Sequence, residues 1–253
     1  MRPGLCSITF RNLSVEEIVD LVARGGLEVI EWGGDVHVPH GDLPAAERAR
    51  QLTEDAGLAI SSYGSYYKLG DPEGSDFEAV LESTLALGVS TLRIWSGSPD
   101  SANIDEDTRK ARIDETREIA AQAEAHGISI GFEFHGGCLT DTPEASTAFM
   151  REIDRNNVGM YWQPALEVAV ADRVAGLASM LPWLKNIHMF TWAGENGAER
   201  YPLVDGQDDW SQYLATAGAD DRDGAILLEY VMNDDPEQFV ADAATLRSWT
   251  EGW

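Results

Sequence analysis

The sequence predicts an α/β protein, a single-domain (β/α)8 TIM barrel covering residues 1–253. One phrase recurs, an amphipathic stretch that ends at a glycine and is followed by an apolar run: LVARGGLEVIEW, TEDAGLAISSY, LALGVSTLRIW and AEAHGISIGFEF. Reading such phrases along the whole chain gives eight strand–helix pairs. No linker, low-complexity tract or charge block interrupts the alternation. Eight consecutive βα units in about 250 residues are what a closed barrel requires. An open doubly wound sheet is the competitor, but no glycine-rich dinucleotide turn follows the first strand.

Strands are expected near 4–10, 27–33, 58–64, 90–96, 128–135, 158–163, 186–191 and 225–231. Each is a short β-rich run bounded by turn residues. Helices are expected near 14–24, 43–56, 75–87, 105–126, 142–153, 167–180, 208–217 and 235–249. The first opens on a capping box, Ser14 with Glu17. Thr142-Pro143 and Asp235-Pro236 place a cap before a proline at the first helical position. Gly25 or Gly26, Gly57, Gly88 and Gly127 stand just past helix ends, where positive φ is needed.

The formal charge of −26 disfavours nucleic acid, because a phosphate polymer needs Lys and Arg to displace its counterions. Only Lys68, Lys110 and Lys185 carry ammonium groups. Such acidity fits a cytoplasm of high ionic strength, where self-repulsion is screened, and equally a GC-rich genome that encodes Arg over Lys. No apolar run approaches the roughly 18 residues of a membrane span, and no basic-then-apolar leader follows Met1. A cytoplasmic protein without a membrane partner is expected. Cys6 and Cys138 lack metal-type spacing and read as two buried thiols rather than a disulfide. A homo-oligomer is compatible with everything in the chain.

Four apolar runs in the second half each carry one strong ligand side chain near the same end: IGFEFHGG with Glu133, VGMYWQP with Gln163, NIHMFTW with His188 and AILLEYV with Glu229. On neighbouring parallel strands these groups converge at the C-terminal face of the barrel, where ligands assemble. Two carboxylates, an imidazole and an amide oxygen suit a divalent cation. Strand alternation sharpens the picture. Leu92 and Ile94 suit the helix side, which turns Arg93 and Trp95 inward. Phe132 and Phe134 face out, so Glu133 and His135 face in, and Glu31 reaches the mouth from the second strand. An ionised carboxylate among such residues is costly unless paired. A plain ion pair of Glu133 or Glu229 with Arg93 is the structural alternative.

With these residues in place, the chain resembles the xylose isomerase-like barrel superfamily of sugar isomerases and epimerases, which also includes endonuclease-IV-type enzymes. The likeness covers the whole chain. It implies a metal set of Glu on strand five, Asp on strand six, His on strand seven and Glu on strand eight. Glu133, His188 and Glu229 match, while Gln163 stands where Asp is expected. The amide brings no charge, so two carboxylates neutralise a dication, and the ion should bind less tightly and act as a stronger Lewis acid. Mn²⁺ or Mg²⁺ is the expected ion, with Co²⁺ or Zn²⁺ as further options.

The resemblance further implies that Glu133 and Glu229 exchange a proton at the carbon beside a keto group, making this a metal-dependent sugar isomerase or epimerase. A lyase acting by β-elimination on 3-keto sugars or glycosides needs the same residues and is the alternative. A non-catalytic sugar-binding barrel is a remoter one. Cleavage of damaged DNA is disfavoured, since the chain has only five histidines and a repulsive charge. The loop ENGAERYPLVDGQDDW offers Arg200, which matches a substrate-binding Arg of the superfamily. His135, Trp95, Arg93, Glu31, His37 and Tyr66 complete the expected contacts to a small-molecule sugar. Few basic residues flank the expected mouth, which argues against a phosphorylated substrate.

Overall fold

The computed structural model describes residues 1–71, 76–194, 197–218 and 223–251. The first half runs β1 (Arg2–Cys6), α1 (Val15–Gly25), β2 (Val29–Gly33), α2 (Leu43–Asp55), β3 (Ala59–Lys68), α3 (Phe77–Leu87), β4 (Thr91–Trp95) and α4 (Glu106–Glu124). The second runs β5 (Ser129–Glu133), α5 (Pro143–Ile153), β6 (Val158–Trp162), α6 (Val170–Met180) and β7 (Leu184–Met189). A small hairpin, β8 (Trp192–Ala193) with β9 (Glu199–Arg200), then precedes α7 (Gln207–Ala217), β10 (Ala225–Leu228) and α8 (Pro236–Thr250). The eight longer strands pair in parallel, β1 closing onto β10, and form the barrel. All eight expected strand–helix units are present. Residue 75, expected to open the third helix, lies outside the described residues.

Local chemistry sets the elements as anticipated. Ser14 accepts from the Glu17 amide and Glu17 returns the bond to the Ser14 amide. Thr142 and Asp235 cap α5 and α8 ahead of their prolines. Each such cap stabilises its helix by about 1 kcal/mol. Gly26, Gly57, Gly88 and Gly127 hold φ of +67°, +73°, +72° and +73°.

The first strand differs. It stops at Cys6, and Ser7–Phe10 winds into a 3₁₀ turn. Side-chain hydroxyls take over there: Ser7 Oγ accepts from the Gly33 amide at 2.9 Å, and Thr9 Oγ1 accepts from the Tyr230 amide at 3.0 Å. The turn brings Arg11 to the rim.

The main core lies between barrel and helices, filled by Leu92, Ile94, Phe132, Ile226 and Leu228 from the strands. Trp162 points outward into it and meets Trp210 and Tyr213 of α7 edge to face. Such aromatic pairs contribute about 0.5–1.5 kcal/mol each beyond their buried area. This packing fixes the phase of β6, so Gln163 turns the opposite way, into the barrel. A smaller cluster of Cys6, Ile8, Val29, Ala225 and Leu227 fills part of the interior.

Candidate metal centre

Glu133 ends β5, Gln163 follows the last residue of β6, His188 lies one residue before the end of β7 and Glu229 follows β10. His188 pairs in register with Leu227, so Glu229 emerges just above the imidazole. Ligand atoms of Glu133, His188 and Glu229 lie within 4.8 Å of one another. His188 Nδ1 is 3.5 Å from Glu229 Oε2 and 3.9 Å from Glu133 Oε1. Both imidazole nitrogens and Gln163 Oε1 are buried without a hydrogen-bond partner among the described residues. Unpaired buried polar atoms are costly, and here they converge on two carboxylates. The donor set therefore fits a divalent cation held by Glu133, His188 and Glu229, with the Gln163 oxygen available beside them.

A second buried network stands behind this cluster. Arg93, only 1% exposed, donates through Nε to Glu31 Oε1 at 3.0 Å and through Nη1 to Glu133 Oε2. Ser62 Oγ donates to Glu31 Oε2 at 2.8 Å and the Cys6 thiol to Glu31 Oε1 at 3.2 Å. His188 Nε2 lies 3.3 Å from Glu31, too poorly aligned for a hydrogen bond. Glu31 thus flanks the imidazole on its Nε2 side, opposite the Nδ1 that faces Glu133 and Glu229. Gly64 makes room for the guanidinium: a Cβ there would sit 2.5 Å from Arg93 Nη2. Arg93 engages one oxygen of Glu133 and leaves the other facing His188, so the ion pair anticipated as an alternative coexists with the cluster.

Electrostatics separates the carboxylates. Burial opposes the charge of Glu31, but Arg93, His188 and Ser62 together hold its carboxyl well below the usual range. Glu229 goes the other way, raised by burial and by Glu133 and Glu31 despite His188 and Arg93. Burial also opposes the charge on His188, yet Glu229, Glu31 and Glu133 outweigh it and lift its pKa to about 9. In the ion-free protein a proton on His188 thus serves as the counter-charge.

The cavity above is about 420 Å³ and is lined by Arg11, Tyr66, Arg93, Trp95, Glu133, His135, Gln163, Trp192, Arg200, Glu229 and Tyr230, with Ile8 and Gly197. Of the residues expected from sequence, Glu31, His37 and the fully buried His188 do not line it. Glu31 lies beneath Arg93. His37 is spent on structure, with Nδ1 3.0 Å from Ser7 Oγ and Nε2 3.1 Å from the Leu13 carbonyl. The expectation of few basic residues at the mouth is overturned, since Arg11, Arg93 and Arg200 all line it.

Arg11, Trp192 and Tyr230 were not anticipated. Arg11 lies in the loop after the first strand, and an isolated arginine there in so acidic a chain is the signal that marks it. Its guanidinium donates to the Tyr66 hydroxyl at 2.7 Å and to the Tyr230 hydroxyl. Both tyrosines hold a left-handed backbone, φ +58° and +51°. His135 Nδ1 lies 2.7 Å from the Gly136 carbonyl. A carbonyl only accepts, so Nδ1 is the donor in this contact. Cys6 and Cys138 are buried free thiols.

A family model, the xylose isomerase-like TIM barrel, matches residues 19–249. The chain belongs to this family. A 3-dehydroshikimate dehydratase of Bacillus anthracis is 24% identical over 205 residues, covering 74% of this chain and 71% of that protein. A xylose isomerase-like TIM barrel protein from Mycobacterium smegmatis, solved in complex with magnesium, superposes with a TM-score of 0.76 at 18% identity, covering 98% of this chain and 96% of that one. A D-psicose 3-epimerase, solved in the presence of D-fructose, gives 0.71 at 17% identity with both chains fully covered. Among the described residues no helix is long and apolar enough to cross a membrane.

Proposed function

We propose that this chain is a divalent-metal-dependent enzyme that removes a proton α to a carbonyl on a keto sugar or sugar-like polyol, as an isomerase or epimerase. The observation that carries the reading is the buried Glu133–His188–Glu229 cluster with its unpartnered imidazole, at the C-terminal ends of β5, β7 and β10. A relative that is a dehydratase and a structural neighbour that is an epimerase support a chemistry of this class. Manganese or magnesium suits the oxygen-rich donor set, and the magnesium-bound neighbour agrees with it.

Bound at this cluster, the ion supplies Lewis-acid polarisation of a carbonyl oxygen. The chain's own residues divide the rest. Glu133 has one oxygen taken by Arg93 and the other toward the cluster, which fits it to hold and not to shuttle. Glu229 makes no side-chain hydrogen bond among the described residues, and its raised pKa suits a carboxylate that takes up and returns a proton. His135 also lines the cavity, its Nδ1 held at the Gly136 carbonyl and its Nε2 left for acid–base work. One carboxylate plus one imidazole departs from a pair of facing glutamates. This asymmetry favours, as a second reading, a lyase in which one group takes the α-proton and the other serves the leaving oxygen.

Metal analysis of the purified protein and a keto-substrate panel in D₂O test both readings. Solvent deuterium at the α-carbon with an epimer or isomer as product supports the first, and an unsaturated product the second. No turnover of any keto substrate by the Mn²⁺-loaded protein would sink both.

A further inference from the structure

Cys6 is a buried thiol that the proposed chemistry does not use. β1 ends at this residue, and Glu31 stands beside it in register on β2. Cys6 Sγ lies 3.2 Å from Glu31 Oε1, and His188 Nε2 lies 3.3 Å from the same oxygen. All three residues are fully buried, and ligand atoms of the three lie within 4.8 Å of one another. Atoms bound about 2.0–2.3 Å from a tetrahedral ion stand about 3.3–3.5 Å apart, so these spacings suit a ligand set. His188 Nε2 has no hydrogen-bond partner among the described residues, although it is aimed at a thiol and a carboxylate. Arg93 Nε holds one side of Glu31 Oε1 at 3.0 Å, and the thiol proton lies on another. An ion that replaces that proton leaves the guanidinium where it is. Cysteine spacing in the chain gives no sign of this group, because its other members come from β2 and β7.

We propose that Cys6, Glu31 and His188 form a second metal site, for a thiophilic dication such as Zn²⁺, Co²⁺ or Cd²⁺, and that it excludes an ion at Glu133, His188 and Glu229. Binding forms a sulfur–metal bond as the S–H bond breaks, and the proton leaves to solvent. Sulfur decides the class, because thiolate selects softer ions while Mg²⁺ and Mn²⁺ prefer oxygen. The thiolate, Glu31 and Glu133 together balance a dication and Arg93. Exclusion follows from the ring. A neutral imidazole offers one lone pair and carries its proton on the other nitrogen. With Nε2 on the soft ion, that proton stands on Nδ1, which faces Glu229 at 3.5 Å and Glu133 at 3.9 Å. The oxygen-rich side is then closed, and His188 serves one ion at a time. The thiolate site stands apart from the α-proton chemistry; only its competition with Mn²⁺ rests on that reading.

The test titrates the full chain, stripped with a chelator, with Co²⁺ and reads thiolate-to-cobalt charge transfer in the near ultraviolet. A band should grow to saturation, vanish in Cys6→Ser and persist in Glu229→Gln, which touches only the oxygen-rich side. Cys6→Ala gives the same reading should the serine variant not fold. Cys6→Ser should weaken Cd²⁺ by about 10–100-fold or more while leaving Mn²⁺ within about threefold. Cd²⁺ added to the Mn²⁺-loaded protein should release Mn²⁺, seen as the paramagnetic resonance signal of the free ion. Cobalt bound without a thiolate band overturns the site, as does a band that survives loss of Cys6. Mn²⁺ retained in a chain that also carries thiolate-bound Cd²⁺ overturns the exclusion. A thiolate band in a protein that never binds Mn²⁺ sinks the oxygen-rich centre and supports this one.

Discussion

The two halves of the barrel interior are built from the same residue types and do opposite things with them. On the β1–β4 side, Glu31 accepts from Arg93, Ser62 and Cys6, and neither carboxylate oxygen is idle. On the β5–β10 side, among the described residues, His188 and Gln163 have buried atoms with no hydrogen-bond partner, and the Glu229 carboxylate faces only the charge of its neighbours. A buried carboxylate answered at both oxygens is scaffold, although Arg93 Nη2 and Trp95 Nε1 on the same side have no partner among the described residues. An unsaturated cluster in the same protein, a few ångströms away, is where an external group belongs. Arg93 joins the halves, holding Glu31 with one nitrogen and Glu133 with another.

The largest break in this comparison should come from Glu229→Gln, expected to lower turnover by about 10²–10⁴-fold, the range for a lost general acid or base. Because it removes a carboxylate crowded by Glu133, the ion-free protein should melt no lower than wild type. Activity within a few-fold of wild type in a steady-state assay would assign Glu229 to structure.

Glu31→Gln should do the opposite, costing about 3 kcal/mol in urea unfolding, the lower end for a broken buried ion pair because Arg93 keeps Glu133. Unchanged unfolding would mean that the β1–β4 network is not scaffold.

The pH response of His188 sharpens the contrast. Its native pKa of about 9 exceeds its ordinary 6.5, so its contribution to ion-free stability is complete below pH 6.5 and is lost as pH rises through about 9. An incoming ion must displace that proton, so Mn²⁺ affinity should rise about tenfold per pH unit up to about 9. Calorimetry in buffers of different ionisation enthalpy reads the proton released, and a value of zero would contradict the imidazolium.

At Gln163 the effects are smaller. Gln163→Asp should tighten Mn²⁺ about tenfold or more by adding a charge beside the cluster, and unchanged affinity would argue against a direct ligand. Gln163→Leu should leave ion-free unfolding within about 1 kcal/mol of wild type, since the amide oxygen has no bond to lose.

The repeat of helix, glycine and apolar run made the barrel legible in the chain, because the left-handed turn after each helix is a local requirement that only certain residues meet. Strand alternation likewise placed Arg93, Glu133 and Glu229 inside and Trp162 outside, since a period of two is fixed by backbone geometry. Loops obey no period. His37 therefore looked available and turned out to be bound to Ser7 and Leu13, while Arg11 was not considered at all. Parity also brought Glu31 inward, as found, but could not say that Arg93 would cover it. Which groups crowd the rim depends on how the loops after β1 and β10 meet the end of β3 in space, and no spacing in the chain encodes that.

One side chain reaches all three segments. Arg11 grips Tyr66 and Tyr230, residues in the uncommon left-handed conformation that costs about 1–3 kcal/mol each and persists only where neighbours enforce it. The gateway is consequently braced like a hoop, with one guanidinium spanning the opening between the two phenol oxygens.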